Sequence, residues 1–169
     1  MARVYISDAN ILIDFRNAGL LEALFALPIE LCCSDFVIHE LKGFSRPELE
    51  RLGLLVETID GPGISRLFAL RIQHNNSSLA DVSCYFLAQE TGRPLLTGDG
   101  RLRRQALQDG IEVHGALWLL DQLLAAGMLT PDGAADALDR MMALGARFPA
   151  ADCQSRLQTW RPLHPVLPP

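Results

Sequence analysis

The chain of 169 residues lacks long apolar runs. No apolar stretch approaches the roughly 20 residues that a membrane-spanning helix needs. The first residues also lack a basic segment followed by an apolar one, which is the pattern of a signal peptide. We therefore expect a protein without a membrane association that resides in the cytoplasm.

Cysteines with the spacing of a metal site are also lacking. The four cysteines are Cys32, Cys33, Cys84 and Cys153, and the first two are adjacent. Neighbouring residues of a strand point to opposite faces, so Cys32 and Cys33 cannot bind one ion together from a strand. The cysteines are expected to be small buried hydrophobic residues in a reducing compartment, and a zinc site is not expected.

Positive charge is scarce, and lysine almost absent. There are 15 basic and 20 acidic residues, a net charge of −5, and Lys42 is the only lysine. This balance disfavours a protein that binds nucleic acid by simple electrostatic attraction. The objection weakens if several of the acids bind cations. Hydrophobic residues make up 49% of the chain and charged residues 21%, which is typical of one soluble globular domain.

Short apolar runs alternate with longer segments of helical periodicity. This alternation predicts βαβ units, and hence an α/β fold with three α/β/α layers around a central parallel sheet of about five strands. The predicted strands are residues 3–7, 30–33, 54–59, 95–97 and 111–114. Between them, helices are predicted at 36–44 and 79–91, and Gly61-Pro62-Gly63 is predicted to be a break.

The chain is expected to form a single domain over residues 1–150. Residues 130–150 would be a C-terminal helical addition, since Thr130-Pro131-Asp132 has the pattern of a helix start. Residues 151–169 are expected to be a partly flexible extension, with a short helix over 153–160 and a loose proline-rich tail over 161–169.

Four acids follow or open predicted elements. Asp8 follows the first strand, Asp99 follows the strand 95–97, Asp81 lies in the first turn of helix 79–91, and Glu40 lies on helix 36–44. If the strands are parallel, Asp8 and Asp99 emerge at the same edge of the sheet, where α/β proteins bind ligands. Clustered carboxylates require cations, and their hard oxygens suit Mg²⁺ or Mn²⁺. Such ions can generate hydroxide and clamp a phosphate.

Each acid also has a structural explanation that the residues alone leave open. Asp8 could cap the following helix, and Asp81 could form a capping box with Ser78. Glu40 could be a solvated helix residue, and Asp99, between two glycines, could belong to a turn. Asp14 has no partner and is expected at the surface.

Residues 6–14, 35–44, 78–88 and 95–103 together resemble the PIN-domain nucleases over about residues 4–129. The shared features are an Asp-x-Asn start, a mid-chain Glu, an Asp opening an Ala-rich helix, and a Thr-x-Asp after a strand. The glycines on both sides of Asp99 depart from the family's bulkier neighbours. The resemblance implies four metal-binding acids and two accessory polar residues: Asp8, Glu40, Asp81 and Asp99, with Asn10 and Thr97.

PIN domains are mostly Mg²⁺- or Mn²⁺-dependent ribonucleases, and many are VapC-type toxins that a small antitoxin inhibits and that often form dimers. The resemblance thus implies a metal-dependent endoribonuclease that hydrolyses RNA phosphodiester bonds as the toxin of a toxin–antitoxin pair, with an antitoxin partner and a homodimeric state. Arg101, Arg103 and Arg104 follow Asp99 and either contact substrate phosphate or form a solvated helix face.

Three other functions are weighed against this one. A metal-free ribonuclease would need His39 and His114 as acid and base, but nothing in the sequence brings them together. A receiver-type phosphoacceptor domain would need a lysine after a late strand, and none is there. The third is a PIN-fold module that binds protein or RNA with little or no nuclease activity, and the four intact acids disfavour it.

Overall fold

The computed structural model describes residues 1–161. Its five strands form one parallel sheet in the order β3-β2-β1-β4-β5. The strands are β1 (Arg3–Ser7), β2 (Ile29–Ser34), β3 (Leu55–Glu57), β4 (Leu95–Leu96) and β5 (Val113–His114). Helices flank the sheet, so the three-layer α/β/α prediction is confirmed.

The described residues form ten helices, none of them long and apolar enough to cross a membrane. They are α1 (Ala9–Asn17), α2 (Leu21–Phe25), α3 (Asp35–Glu40), α4 (Arg46–Leu52), α5 (Gly61–Gln73), α6 (Leu79–Thr91), α7 (Gly100–Gln108), α8 (Ala116–Ala125), α9 (Pro131–Ala143) and α10 (Ala150–Trp160).

Strand β1 and helix α6 form the centre of the core. Tyr5, Ile6 and Ser7 of β1 are buried, and α6 is buried from Val82 to Ala88 where it packs against β1, β2 and β4. A strand covered on both faces carries a continuous apolar run, which in β1 is Val4–Ile6. This packing fixes the first turn of α6 beside the carboxyl ends of β1 and β4.

The strand order reverses between β1 and β4. From β1 the chain adds β2 and β3 on one side, and it then returns to add β4 and β5 on the other. Loops that leave adjacent strands in opposite directions open a crevice at the carboxyl edge, which is where open α/β sheets bind ligands. Asp8 and Thr97–Asp99 follow the two strands at this point.

Two predictions about helices were wrong. The helix expected over residues 36–44 ends at Glu40, because Leu41 adopts an extended backbone with φ −70° and ψ 108°. The expected break at Gly61-Pro62-Gly63 is instead the first turn of α5. The Asp60 carboxylate accepts a hydrogen bond from the Gly63 amide, and a proline in a first turn forfeits no helical hydrogen bond.

The C-terminal segment is helical. Helix α9 packs against α1 and α8, and α10 packs against α9 with Cys153 and Trp160 buried. The helix predicted over 153–160 is therefore present and starts three residues earlier. Of the predicted loose tail, all but Arg161 lies outside the described residues.

Candidate active site

Asp8 is fully buried at the carboxyl end of β1. Its Oδ1 accepts a hydrogen bond from the Ile11 amide at 3.0 Å, so it caps α1. Its Oδ2 accepts hydrogen bonds from the Thr97 hydroxyl at 2.8 Å and the Gly98 amide at 2.9 Å. Burial raises the pKa of this carboxyl group, and the three hydrogen bonds oppose the rise. Asp8 thus serves as a helix cap and also joins the ends of β1 and β4.

Asp99 lies on the other side of Thr97 and caps α7. Its Oδ1 accepts hydrogen bonds from the amides of Arg101 at 2.8 Å and Leu102 at 3.1 Å, and its Oδ2 accepts one from the Ser77 hydroxyl at 2.5 Å. The Asp99 amide in turn donates to the Thr97 hydroxyl at 3.0 Å. Thr97 therefore connects the Asp8 carboxylate to the backbone of Asp99, and the charge of Asp99 also adds to the rise in the pKa of Asp8.

Asp81 brings a third carboxylate from the first turn of α6. Its amide donates to the Ser78 hydroxyl at 3.1 Å, which is half of a capping box. The second bond of a capping box, from the Ser78 amide to the Asp81 carboxylate, is absent among the described residues. The carboxylate therefore does not cap the helix. Burial first, and then the charges of Asp8 and Glu40, raise its pKa to about 7.

Glu40 and Asn10 complete the predicted set. Glu40, the last residue of α3, is exposed, and its Oε2 accepts a hydrogen bond from the Ser78 hydroxyl at 3.4 Å. Asn10 is exposed on α1, and a Cβ built on Gly98 would lie 3.9 Å from its Cβ. All six predicted residues therefore lie at the crevice between β1 and β4, with Glu40 at its outer rim.

Three more residues belong to this site and were not predicted to do so from the sequence. Asp14 is half-buried rather than at the surface, and burial, with the charge of Asp8 second, raises its pKa to about 7. Its spacing of four from Asn10 puts both on one face of α1, and this signal was available. Ser77 and Ser78 contact Asp99 and Glu40, and a pair of serines before a helix says nothing by itself about such contacts.

The oxygen donors of the four acids are of the kind that hard divalent cations prefer. The potential ligands are carboxylate oxygens, and none of the four acids forms an ion pair with an arginine or lysine among residues 1–161. Their mutual repulsion is what a bound cation would relieve. Within that range, however, no three His, Cys, Asp or Glu side chains already have the spacing of a metal site.

The two histidines of the metal-free alternative lie apart. His39 is on α3, which packs against β2, whereas His114 is in β5 at the far edge of the sheet. The His114 ring stacks on Trp118 at 4.0 Å between centroids, and its Nε2 lies 2.8 Å from the Glu112 carboxylate. They cannot act as a paired acid and base on one substrate.

Comparison with known proteins decides the family. A family model described as "DUF3368: PIN domain" matches residues 4–162. The chain belongs to the PIN-domain family. PIN domains are generally nucleases, and the match extends past residue 129 to include α9 and α10. The C-terminal helices are thus part of this family's pattern rather than outside it.

A solved structure shows the same fold. The crystal structure of PAE2754 from Pyrobaculum aerophilum superposes with a TM-score of 0.51 at 17% sequence identity. The match covers 74% of this chain and 92% of that chain. At this identity the likeness concerns the fold alone. No curated protein matches the chain.

Proposed function

We propose that this PIN domain is a divalent-metal-dependent endoribonuclease that hydrolyses RNA phosphodiester bonds. One observation supports it above the others: Asp8, Asp81 and Asp99 reach the crevice from three elements without a cationic partner among the described residues. By contrast, several acids elsewhere among the described residues, such as Glu57, Glu112 and Asp121, pair with arginine. An uncompensated group of acids at the ligand-binding edge of an α/β sheet is typical of a metal site.

Each residue of the site has a separate role in the proposed reaction. Asp8, Asp81 and Asp99 would bind Mg²⁺ or Mn²⁺, and Glu40 at the rim would complete the coordination or orient the attacking water. When bound, the metal supplies activation of a water and stabilisation of charge on the phosphate. Thr97 would hold the Asp8 carboxylate and the backbone of Asp99 in position, because its hydroxyl donates to Asp8 and accepts from the Asp99 amide. Asn10 presents an exposed amide beside them.

Biological partners form a further part of the proposal. By family likeness, we infer that the protein is the toxin of a toxin–antitoxin pair, inhibited by a small antitoxin encoded beside it, and that it is a homodimer. Expression of the native operon with a tag on this chain should co-purify a small second protein. Light scattering of the separated chain should give twice its mass of 18.6 kDa.

One observation favours the second candidate, a PIN-fold binding module without nuclease activity. Among residues 1–161, no three potential ligands are close enough together to bind one metal ion. A module of this kind would bind RNA or protein but would not take up Mn²⁺.

Cleavage of a labelled single-stranded RNA with Mn²⁺, compared between the wild-type protein and Asp81→Asn, tests the nuclease. The Asp81 carboxylate accepts no backbone hydrogen bond among the described residues, so the isosteric change removes charge with little loss of structure. We expect Asp81→Asn to lose most activity. Asp132→Asn is the matched control, because Asp132 is exposed in the first turn of α9. No cleavage by any of the three, with no heat of Mn²⁺ binding in a calorimetric titration, would instead favour the module.

A further inference from the structure

A cavity of about 370 Å³ adjoins the acidic residues. Asp14, Thr97 and Gly98 line the side that it shares with the crevice. The opposite side comes from α8 and the C-terminal segment, and includes Trp118, Arg147 and Phe148. Ligand pockets of proteins start at roughly 300 Å³, so this space suits one nucleotide and excludes a duplex.

Two arginines of the cavity have no partner in the part of the chain that the structure describes. Arg103 of α7 and Arg147, which precedes α10, form no ion pair and donate no side-chain hydrogen bond within residues 1–161. A Cβ built on Gly115 would lie 3.4 Å from Nη1 of Arg103 and 3.5 Å from the Thr97 carbonyl oxygen. The Arg103 guanidinium therefore lies beside the end of β4, next to the acidic residues.

The third arginine of the cavity is fully engaged. The Nε and Nη2 atoms of Arg156 contact Oδ2 of Asp121 at 3.0 Å and 2.7 Å, which ties α10 to α8. Arg156 thus acts as a positioning residue that holds the segment carrying Arg147 over the cavity. The acids of the cavity, Asp14 and Asp152, contact neither Arg103 nor Arg147 as ion pairs in the described chain.

We propose that this cavity is a subsite for one nucleotide of single-stranded RNA beside the scissile bond, with Arg103 and Arg147 binding its phosphate. The inference rests on the proposed nuclease function, because the same strand would continue into the crevice. Guanidinium groups match phosphate oxygens in geometry, and phosphate contacts position a strand without reading its sequence. The C-terminal helix pair would then form part of the substrate site, and of the three arginines after Asp99 only Arg103 lines the cavity.

Binding is measured apart from cleavage. Fluorescence anisotropy of a labelled single-stranded RNA is followed with Asp81→Asn protein, with and without Arg103→Ala and Arg147→Ala. We expect the double change to weaken binding about tenfold or more, and to lower the slope of log affinity against log salt by about 1, because up to two phosphate contacts are lost. The matched control is Arg71→Ala with Arg140→Ala, two arginines that also lack a described partner and lie outside the cavity.

Cleavage by the same arginine variants with Asp81 intact, with Mn²⁺ binding and thermal unfolding as checks on folding, distinguishes the outcomes. If the cavity variant cleaves RNA as the control does and binds it equally, the subsite is wrong and the nuclease stands. If no variant cleaves but the cavity variant loses affinity and salt dependence, the subsite stands and the nuclease fails. Affinity that falls equally in both double variants also overturns the subsite, because it would reflect total charge.

Discussion

The acids of the crevice and the acids at the outside of the molecule have opposite surroundings. Outside, Glu57 pairs with Arg93 at 2.5 Å, Asp121 with Arg156 at 2.7 Å and Glu112 with Arg3 at 2.7 Å. In the crevice, Asp8 and Asp81 meet other carboxylates instead, and no basic side chain among residues 1–161 lies in ion-pair contact with them.

The pKa values follow this difference. Hydrogen bonds from Arg3 and His114 lower the pKa of Glu112, whereas burial and neighbouring acids raise that of Asp81 to about 7. A paired acid is stabilised by the fold. An unpaired buried acid lowers the stability of the fold. Such acids are therefore typical of functional sites, where a bound cation offsets their charge. The ion-paired acids therefore stabilise the fold, whereas the crevice acids destabilise it unless a cation binds them.

The largest expected effect comes from exchanging one acid of each kind. Asp8→Asn should lower the rate of Mn²⁺-dependent RNA cleavage more than about 100-fold, since loss of a ligand exceeds the loss of a residue that supports one. Glu57→Gln should leave the rate within about twofold, because it breaks only a half-exposed ion pair with Arg93. Single-turnover cleavage assays measure both rates.

Asn at position 8 keeps an oxygen for Thr97 and Gly98 but offers an amide to the Ile11 N–H, so some stability is lost as well. Circular dichroism at the assay temperature shows whether the variant is folded. A folded Asp8→Asn protein with more than about a tenth of the wild-type rate would contradict a metal-binding role.

The next effect concerns stability and pH. The pKa values of Asp81 and Asp14 rise from 3.8 to about 7 on folding, so the folded chain holds more protons than the unfolded chain between these values. The stability of the metal-free protein should therefore fall as the pH rises from about 4 to about 7, and change little above that through these groups. Mn²⁺ should raise the melting temperature more at pH 8 than at pH 5.5, because protons compete with the metal at the lower pH.

Asp81→Asn isolates one share of this effect. It should stabilise the metal-free protein at pH 8 by about 2 kcal/mol, because it removes a charge that is buried beside Asp8 and Glu40 without a cation. At pH 4 it should change stability little. Asp121→Asn should instead destabilise the protein at both pH values by about 1 kcal/mol. Equal urea midpoints for wild type and Asp81→Asn at pH 8 would show that the charge of the Asp81 carboxylate does not destabilise the fold.

The sequence predicted the core elements better than their ends. Strand β1 and helix α6 have the predicted bounds, because their apolar patterns are long enough to show a period. Strands β4 and β5 have two residues each, although Thr97 and Glu112, which were predicted as strand residues, still bond to the neighbouring strand through their backbones. The end of α3 after Glu40 depends on a turn of the backbone at Leu41 that no glycine or proline marks.

The candidate site was predictable as a set of acids but not as a network. The order of Asp8, Glu40, Asp81 and Asp99 indicated one sheet edge, and the topology brings them there. That Thr97 receives the Asp99 amide while it donates to Asp8 depends on angles between elements, which a linear pattern does not contain. For Asp8 the two roles do not exclude each other, since Oδ1 caps α1 with one lone pair and keeps a second one.

Glu40 should give the smallest effect, because it is intermediate between the two kinds of acid. It has no arginine partner among the described residues, as in the crevice, but it is exposed, as outside, and its hydrogen bond from Ser78 is long at 3.4 Å. Glu40→Gln should therefore lower cleavage about 3- to 10-fold at saturating Mn²⁺, where water orientation and not metal affinity limits the rate. Glu48→Gln, at an exposed position of α4, is the matched control and should have no effect. The alternative outcome is a loss of activity as large as that of Asp8→Asn, which excess Mn²⁺ restores. This result would show that Glu40 is a direct metal ligand, like the acids of the crevice.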